Sequence, residues 1–210
     1  MNPALVDLFV TAFATLFVVI DPPGCAPIYS SLTAGASARQ RNGMAVRSIL
    51  IAGGVLIVFA FFGRPLLEAL GISLDAFRVA GGIMLFMIAL EMVFEKRTER
   101  RETRVQEMNE SDVDDVSVFP MGIPMIAGPG SIAALMLLMS QTTSFVERSV
   151  VFGALFLVLL LTLAALLLAG PMLGFIGQKM EAMLTRLLGV ILAALAAQFV
   201  LDGLRASFLA

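Results

Sequence analysis

Long apolar stretches without a single charge constrain this chain more than any other feature of its sequence. Residues 116–146 and 149–178 contain no Asp, Glu, Lys or Arg, and shorter charge-free stretches cover 79–90 and 187–201. A helix that crosses a bilayer needs about 20 mostly apolar residues. With 59% hydrophobic and 14% charged residues, the composition also excludes an ordinary soluble globule. The chain is therefore predicted to be an all-α integral membrane protein.

The hydrophobic stretches predict six transmembrane helices, separated by charged or Gly/Pro-rich segments. Their predicted ranges are 5–34, 46–70, 74–94, 116–141, 149–171 and 183–203. Between the third and fourth lies Glu95–Asp115, which is dense in charged residues and is predicted to be a solvated linker. The chain thus divides into a first three-helix unit at 1–94, the linker at 95–115 and a second three-helix unit at 116–210.

The two units repeat each other. An offset of 106 residues places Pro23-Gly24 on Pro129-Gly130 and Pro65 on Pro171. Because each unit has three spans, the second enters the membrane from the opposite side, and the repeat is predicted to be inverted. Inverted repeats recur in secondary transporters, whose substrate sites lie where discontinuous helices of the two repeats meet.

The distribution of Lys and Arg predicts the orientation. The side that carries the N-terminus holds four basic residues and the other side holds ten. The positive-inside rule then places both termini in the periplasm and the linker in the cytoplasm. The four are Arg64, Arg78, Arg148 and Arg205, and the ten are Arg39, Arg41, Arg47, Lys96, Arg97, Arg100, Arg101, Arg104, Lys179 and Arg186.

Several functions are excluded by what the sequence lacks. There is no histidine and one cysteine, which removes His-based metal sites and Ser-His or Cys-His nucleophilic pairs. We therefore expect no enzyme activity, no metal and no cofactor. The net charge of -2 and the absence of a basic patch argue against nucleic acid as a partner.

The first predicted span is interrupted by a polar, proline-rich motif. Asp21 is the one charge between residues 8 and 38, and Pro22, Pro23, Gly24 and Pro27 follow it. Because proline removes a helical N–H donor and clashes with the preceding turn, we expect no continuous helix through Asp21 to Pro27 and therefore a break in the helix there. The Asp21 carboxylate is predicted to bind an ammonium group or a coupling cation, or to cap the helix that follows.

The fourth span is interrupted at the equivalent place, by Gly128, Pro129, Gly130 and Ser131. Irregular backbone at membrane depth is tolerated where it is buried in protein or lines a cavity. Half-helix N-termini after such breaks present N–H groups to a carboxylate. The predicted binding site combines both motifs: Asp21, Pro22, Pro23, Gly24, Cys25, Pro27, Gly128, Pro129, Gly130 and Ser131.

Four blocks of sequence resemble the MarC family of bacterial inner-membrane proteins. They are TLFVVIDPPGCAPI at 15–28, LGISLDAFRVAGGI at 70–83, IPMIAGPGSI at 123–132 and TRLLG at 185–189. The resemblance implies a six-helix transporter family that includes carriers of small neutral amino acids such as glycine and alanine. It also implies that the two proline motifs form the site, with Cys25 standing where Asn is often found.

These observations predict a secondary transporter in the bacterial inner membrane that carries small neutral amino acids by alternating access. The sequence has no nucleotide-binding GxxxxGK[ST] motif, so we expect coupling to an H⁺ or Na⁺ gradient. The alternatives are a passive channel, an exporter of other small solutes and a membrane protein without a transport function. The oligomeric state stays open between a monomer and a homo-oligomer.

Overall fold

The computed structural model of the protein describes residues 3–94, 115–172 and 178–209. All regular structure in these ranges is helical, which confirms the all-α prediction. One segment, Ser117–Ile126, has two non-helical residues inside it, and its closing hydrogen bonds join residues five apart. We call it the π segment. In chain order the elements are α1 (Pro3–Ile20), α2 (Pro22–Leu32), α3 (Ala38–Ala69), α4 (Leu74–Val93), the π segment, α5 (Pro129–Ser140), α6 (Phe145–Met172) and α7 (Gln178–Leu209).

Five stretches of the described chain are long and apolar enough to cross a membrane, with α1 and α2 together forming the first. A sixth span exists if the π segment and α5, which are bent by 51° relative to each other, cross as a pair. This establishes a multi-pass membrane protein with five or six candidate spans. Most of the predicted linker, residues 95–114, lies outside the described residues.

The helix boundaries differ from prediction where charged residues extend a span. α3 was expected from residue 46 but begins at Ala38, because Ser37 and Gln40 form a capping box. The Gln40 N–H donates to Ser37 Oγ at 3.4 Å, and the Ser37 N–H donates to Gln40 Oε1 at 3.0 Å. Basic residues near the start of α3 therefore belong to the helix and not to a loop.

The long helices pack across the two halves of the chain. α3, from the first half, contacts the π segment and α5, whereas α6, from the second half, contacts α1 and α2. Gly122 in the π segment lies against Ile51 of α3, and Gly53 of α3 lies against Leu159 of α6. Each long helix thus covers the interrupted segment of the opposite half.

α4 and α7 form the most extensive helix pair, and they run antiparallel. Gly82 of α4 lies against Val200 of α7, and Gly203 of α7 lies against Val79 of α4. A Cβ atom at Gly82 would come within 2.7 Å of Val200, so the absence of a side chain lets the helices approach closely. Gly189 of α7 permits a similarly close approach, because a Cβ atom there would lie 2.9 Å from Met92.

Candidate functional site

The first break is a single residue, Asp21, between α1 and α2. Asp21 has a left-handed backbone, with φ of 59° and ψ of 65°, a conformation that the short polar side chain of Asp tolerates better than most. Hydrogen bonds span the break, because the Asp21 N–H donates to the Phe17 carbonyl at 2.9 Å and the Cys25 N–H donates to the Asp21 carbonyl at 3.0 Å. The predicted break in the helix is therefore present, and it is confined to Asp21, because α2 runs helically from Pro22 through Pro27.

Asp21 is the N-cap of α2. Its carboxylate Oδ1 accepts the Gly24 N–H at 3.2 Å, and the residue is 2% exposed. Pro22 and Pro23 at the start of α2 have no N–H, so the capped Gly24 carries the first amide donor of this helix. The N-terminus of α2 therefore has little donor capacity for a carboxylate ligand, contrary to the sequence-based expectation.

The second break comprises Ala127 and Gly128, between the π segment and α5. The peptide bonds preceding Pro120 and Pro124 in the π segment are cis. Gly128 has an extended backbone and is the N-cap of α5, and Pro129 occupies the first turn. The interruption that the sequence predicts here is present, as a bend of 51° between the π segment and α5, which form either one broken span or a re-entrant pair.

The N-terminus of α5 keeps free amide donors. The Ile132 N–H donates to the Gly128 carbonyl at 3.0 Å, but within the described ranges no hydrogen bond takes up the N–H groups of Gly130 and Ser131. Both residues are buried, whereas Pro129 is exposed. Buried amide groups normally find a partner, so this pair marks a place where an acceptor fits.

Side chains at equivalent positions satisfy carbonyl groups beside the two breaks. The Cys25 thiol donates to the Ile20 carbonyl at 3.4 Å, and the Ser131 hydroxyl donates to the Ile126 carbonyl at 2.7 Å. The sequence offset of 106 that relates Cys25 to Ser131 also relates Ile20 to Ile126. The two breaks thus share a local hydrogen-bond pattern as well as a sequence pattern.

The two breaks approach each other inside the protein. A Cβ atom on Gly130 would lie 3.3 Å from Val19 Cγ1, and it would also clash with Ile88 of α4. Val19 is two residues before Asp21, so α5 begins beside the last turn of α1. Asp21, Cys25 and Ser131 are at most 2% exposed, which means that the described conformation is closed at both breaks.

One buried hydroxyl near this contact received no role in the sequence analysis. Thr15 is fully buried, and its Oγ1 has no hydrogen-bond partner in the part of the chain that the structure describes. It lies one turn before Val19 on the same face of α1, the face that meets Gly130. The sequence feature that could have indicated Thr15 is its polar side chain, which lies in an apolar helix within two turns of Asp21.

A cavity of about 420 Å³ lies away from the breaks, where α3 and α5 end and α6 begins. Its lining includes Phe61, Arg64, Glu68, Met136, Met139 and Arg148, and we call it the Arg148 cavity. Sequence reasoning treated Arg64 and Arg148 as loop charges and did not find this site. Among the described residues, no group of three His, Cys, Asp or Glu side chains is arranged to hold a metal ion.

Comparison with known proteins gives one consistent result. A family model described as MarC family integral membrane protein matches residues 6–208. A UPF0056 membrane protein of Methanocaldococcus jannaschii is 35% identical over 204 residues, covering 96% of this chain and 98% of its own length. The UPF0056 membrane protein YvbG of Bacillus subtilis is 32% identical, with 96% of each chain covered. No solved structure matches this chain.

Proposed function

This chain belongs to the MarC family of integral membrane proteins, and on that premise we propose that it is a secondary transporter of small neutral amino acids such as glycine and alanine. The proposal rests on the chemistry of the two breaks, which offers hydrogen-bond donors and a carboxylate in one buried region. The names of the relatives describe membrane proteins and specify no solute.

The observation that carries the proposal is the pair of unused N–H groups at the start of α5. Gly130 and Ser131 are buried, and no acceptor within the described ranges takes up their N–H groups. The helix dipole adds positive potential at the same place, so a carboxylate group is the ligand that this helix end favours. The carboxylate of an amino acid fits this requirement.

Asp21 supplies the opposite charge. Asp21 is buried, caps the Gly24 N–H and is the one charge between residues 8 and 38, and an ionisable group inside a membrane span is a candidate for binding a cation. The contact between Val19 and Gly130 brings the Asp21 end of α1 beside the start of α5. An ammonium group or a coupling H⁺ or Na⁺ is therefore the partner that we assign to Asp21.

The packing supports alternating access. Because each long helix covers the interrupted segment of the opposite half, a relative movement of the halves would change the surroundings of both breaks together. Asp21, Cys25 and Ser131 are buried in the described conformation, which suits a carrier that encloses its solute better than it suits an open channel. The Lys and Arg distribution supports periplasmic termini, and an active cytoplasmic reporter fused after Ala210 would contradict that orientation.

Proteoliposomes loaded with unlabelled glycine or alanine test the proposal. We expect saturable uptake of the labelled amino acid, acceleration by counterflow, and a dependence on an imposed H⁺ or Na⁺ gradient. A passive channel would give flux without saturation or counterflow. Absence of exchange for every small neutral amino acid, with protein shown to be folded in the same vesicles, would refute amino acid transport.

A further inference from the structure

The Arg148 cavity has the size of a small-molecule site. Its volume of about 420 Å³ falls within the range of roughly 300–1,000 Å³ typical of ligand pockets. On the scale of about 30 Å³ per water molecule in the liquid, it accommodates on the order of ten waters. Glycine and alanine would leave most of this space unfilled, so the cavity is matched to a larger molecule than the proposed transported solute.

The cavity has one uncompensated positive charge. Arg64 Nε forms an ion pair with Glu68 Oε1 at 2.9 Å, so these two side chains largely neutralise each other. Arg148 forms no ion pair with any residue in the described ranges. The net charge of the lining groups therefore favours a ligand that carries a single negative charge.

The position of Arg148 does not stabilise its own helix. Arg148 lies in the first turn of α6, where the helix dipole disfavours a cation. The adjacent Glu147 is already engaged, because its Oε2 accepts the Thr143 N–H at 2.7 Å and the Ser144 N–H at 3.3 Å. Consecutive residues on a helix do not face each other, so Glu147 does not neutralise Arg148.

The remaining wall is apolar and adaptable. Met136 and Met139 of α5 line the cavity together with Phe61 of α3. Methionine side chains are flexible and polarisable, and they suit apolar groups of varied shape. An acidic head beside Arg148 would therefore have an apolar body within reach of these side chains.

We propose that the Arg148 cavity binds an amphipathic monoanion, with a carboxylate or phosphate head held by Arg148 and an apolar body packed against Met136 and Met139. Arg is suited to this role because its planar guanidinium donates two parallel hydrogen bonds to such a head. The ligand is either a soluble amphiphile or an acidic phospholipid, since the cavity lies at the ends of membrane-crossing helices. The site does not depend on amino acid transport.

Two binding experiments distinguish these sources. In the first, labelled octanoate is measured by equilibrium dialysis against the full chain in nanodiscs of phosphatidylcholine, with octanamide as the uncharged competitor. In the second, native mass spectrometry compares retention of phosphatidylglycerol and phosphatidylcholine by the detergent-purified protein. Arg148→Gln removes the proposed anchor, and Arg39→Gln is the matched control, because Arg39 is exposed near the start of α3.

We expect octanoate, phosphatidylglycerol or both to bind the wild type and Arg39→Gln equally. Binding to Arg148→Gln should be at least about tenfold weaker, since a charge-assisted hydrogen bond contributes roughly 1.5–3 kcal/mol. Octanoate binding would identify a soluble ligand, and selective retention of phosphatidylglycerol alone would identify a lipid. The proposal is refuted if neither anion binds better than its uncharged or zwitterionic counterpart, or if Arg148→Gln binds like the wild type.

Discussion

Cys25 and Ser131 make the same hydrogen bond in the two halves of the chain. Each side chain donates to the carbonyl oxygen five residues before it, Cys25 to Ile20 at 3.4 Å and Ser131 to Ile126 at 2.7 Å. Both residues lie in the first turn of a helix that begins with proline. A carbonyl beside a helix break is thereby satisfied without water, which suits a break inside a membrane.

This relationship predicts how substitutions affect stability. Ser131→Ala removes the donor to a buried carbonyl and should cost about 1 kcal/mol of unfolding free energy. Cys25→Ser retains a donor and should keep the apparent melting temperature in detergent within a few degrees of wild type. Cys25→Ala removes the donor, so its melting temperature is the value with which that of Cys25→Ser is compared. If Ser131→Ala proved as stable as the wild type, the hydroxyl bond would have no structural importance.

Substitutions of Asp21 should separate capping from ligand binding. Asn also caps helices and tolerates a left-handed backbone, so Asp21→Asn should accumulate in the membrane at wild-type level. Loss of the negative charge should nevertheless lower amino acid counterflow at least about tenfold, the loss expected for one charged hydrogen bond. Asp21→Ala removes the cap and should also reduce protein yield. Wild-type counterflow by the Asn variant would remove Asp21 from the binding site.

The contact between the two breaks can be disturbed by a single methyl group. In Gly130→Ala the new Cβ would clash with Ile88 and press on Val19, so we expect a destabilisation of about 1–3 kcal/mol and loss of counterflow. Gly54→Ala is the matched control, because no atom beyond the adjacent backbone of its own helix lies within 4 Å of its Cβ position on the exposed side of α3. That substitution should be neutral or stabilise by up to about 1 kcal/mol. Equal behaviour of the two variants would contradict a tight contact at Gly130.

Thiol labelling should report opening of the breaks. Cys25 is fully buried and its thiol is hydrogen-bonded, so a small maleimide should react slowly in the resting protein. A transported amino acid should slow labelling further by occupying or closing the space that opens between the two breaks. Ser131→Cys in a Cys25→Ser background gives the equivalent probe in the second break. If both probes stayed inert under all conditions, a shared cavity between the breaks would be ruled out.

Protonation of Asp115, which accepts the Ser117 N–H at the start of the π segment, should make the stability of the protein depend on pH. The Ser117 side chain and backbone N–H donate to this carboxylate, and with nearby Arg47 they hold the pKa of Asp115 below its usual value. A lowered folded-state pKa stabilises the protein above the unfolded value of about 3.9, and this stabilisation is lost as pH falls through the folded pKa. The stability difference between wild type and Asp115→Asn should therefore be present at pH 7 and decrease as the pH falls below the unfolded value of about 4. Thermal unfolding in detergent across this range measures it, and a difference independent of pH would exclude the carboxylate.

The sequence by itself determined the membrane character, the all-helical fold and the positions of the two breaks. Charge-free stretches and proline motifs are local signals, because hydrocarbon requires each backbone polar group to be satisfied within its own segment. The sequence predicted the helix boundaries less accurately. The start of α3 was predicted too late in the chain because its charged first turns were treated as a loop. The Ser37–Gln40 capping box could have been recognised from the sequence.

The tertiary structure decided which of these features meet. The sequence could not show that the break at Asp21 involves one residue, that Gly130 contacts Val19, or that Thr15 is buried with its hydroxyl unused within the described chain. The sequence also could not predict that Arg148 of α6 lines the same cavity as Met136 of α5 and Arg64 of α3. These relationships depend on the packing of helices distant in sequence, which close approach at glycine residues permits and no local pattern encodes.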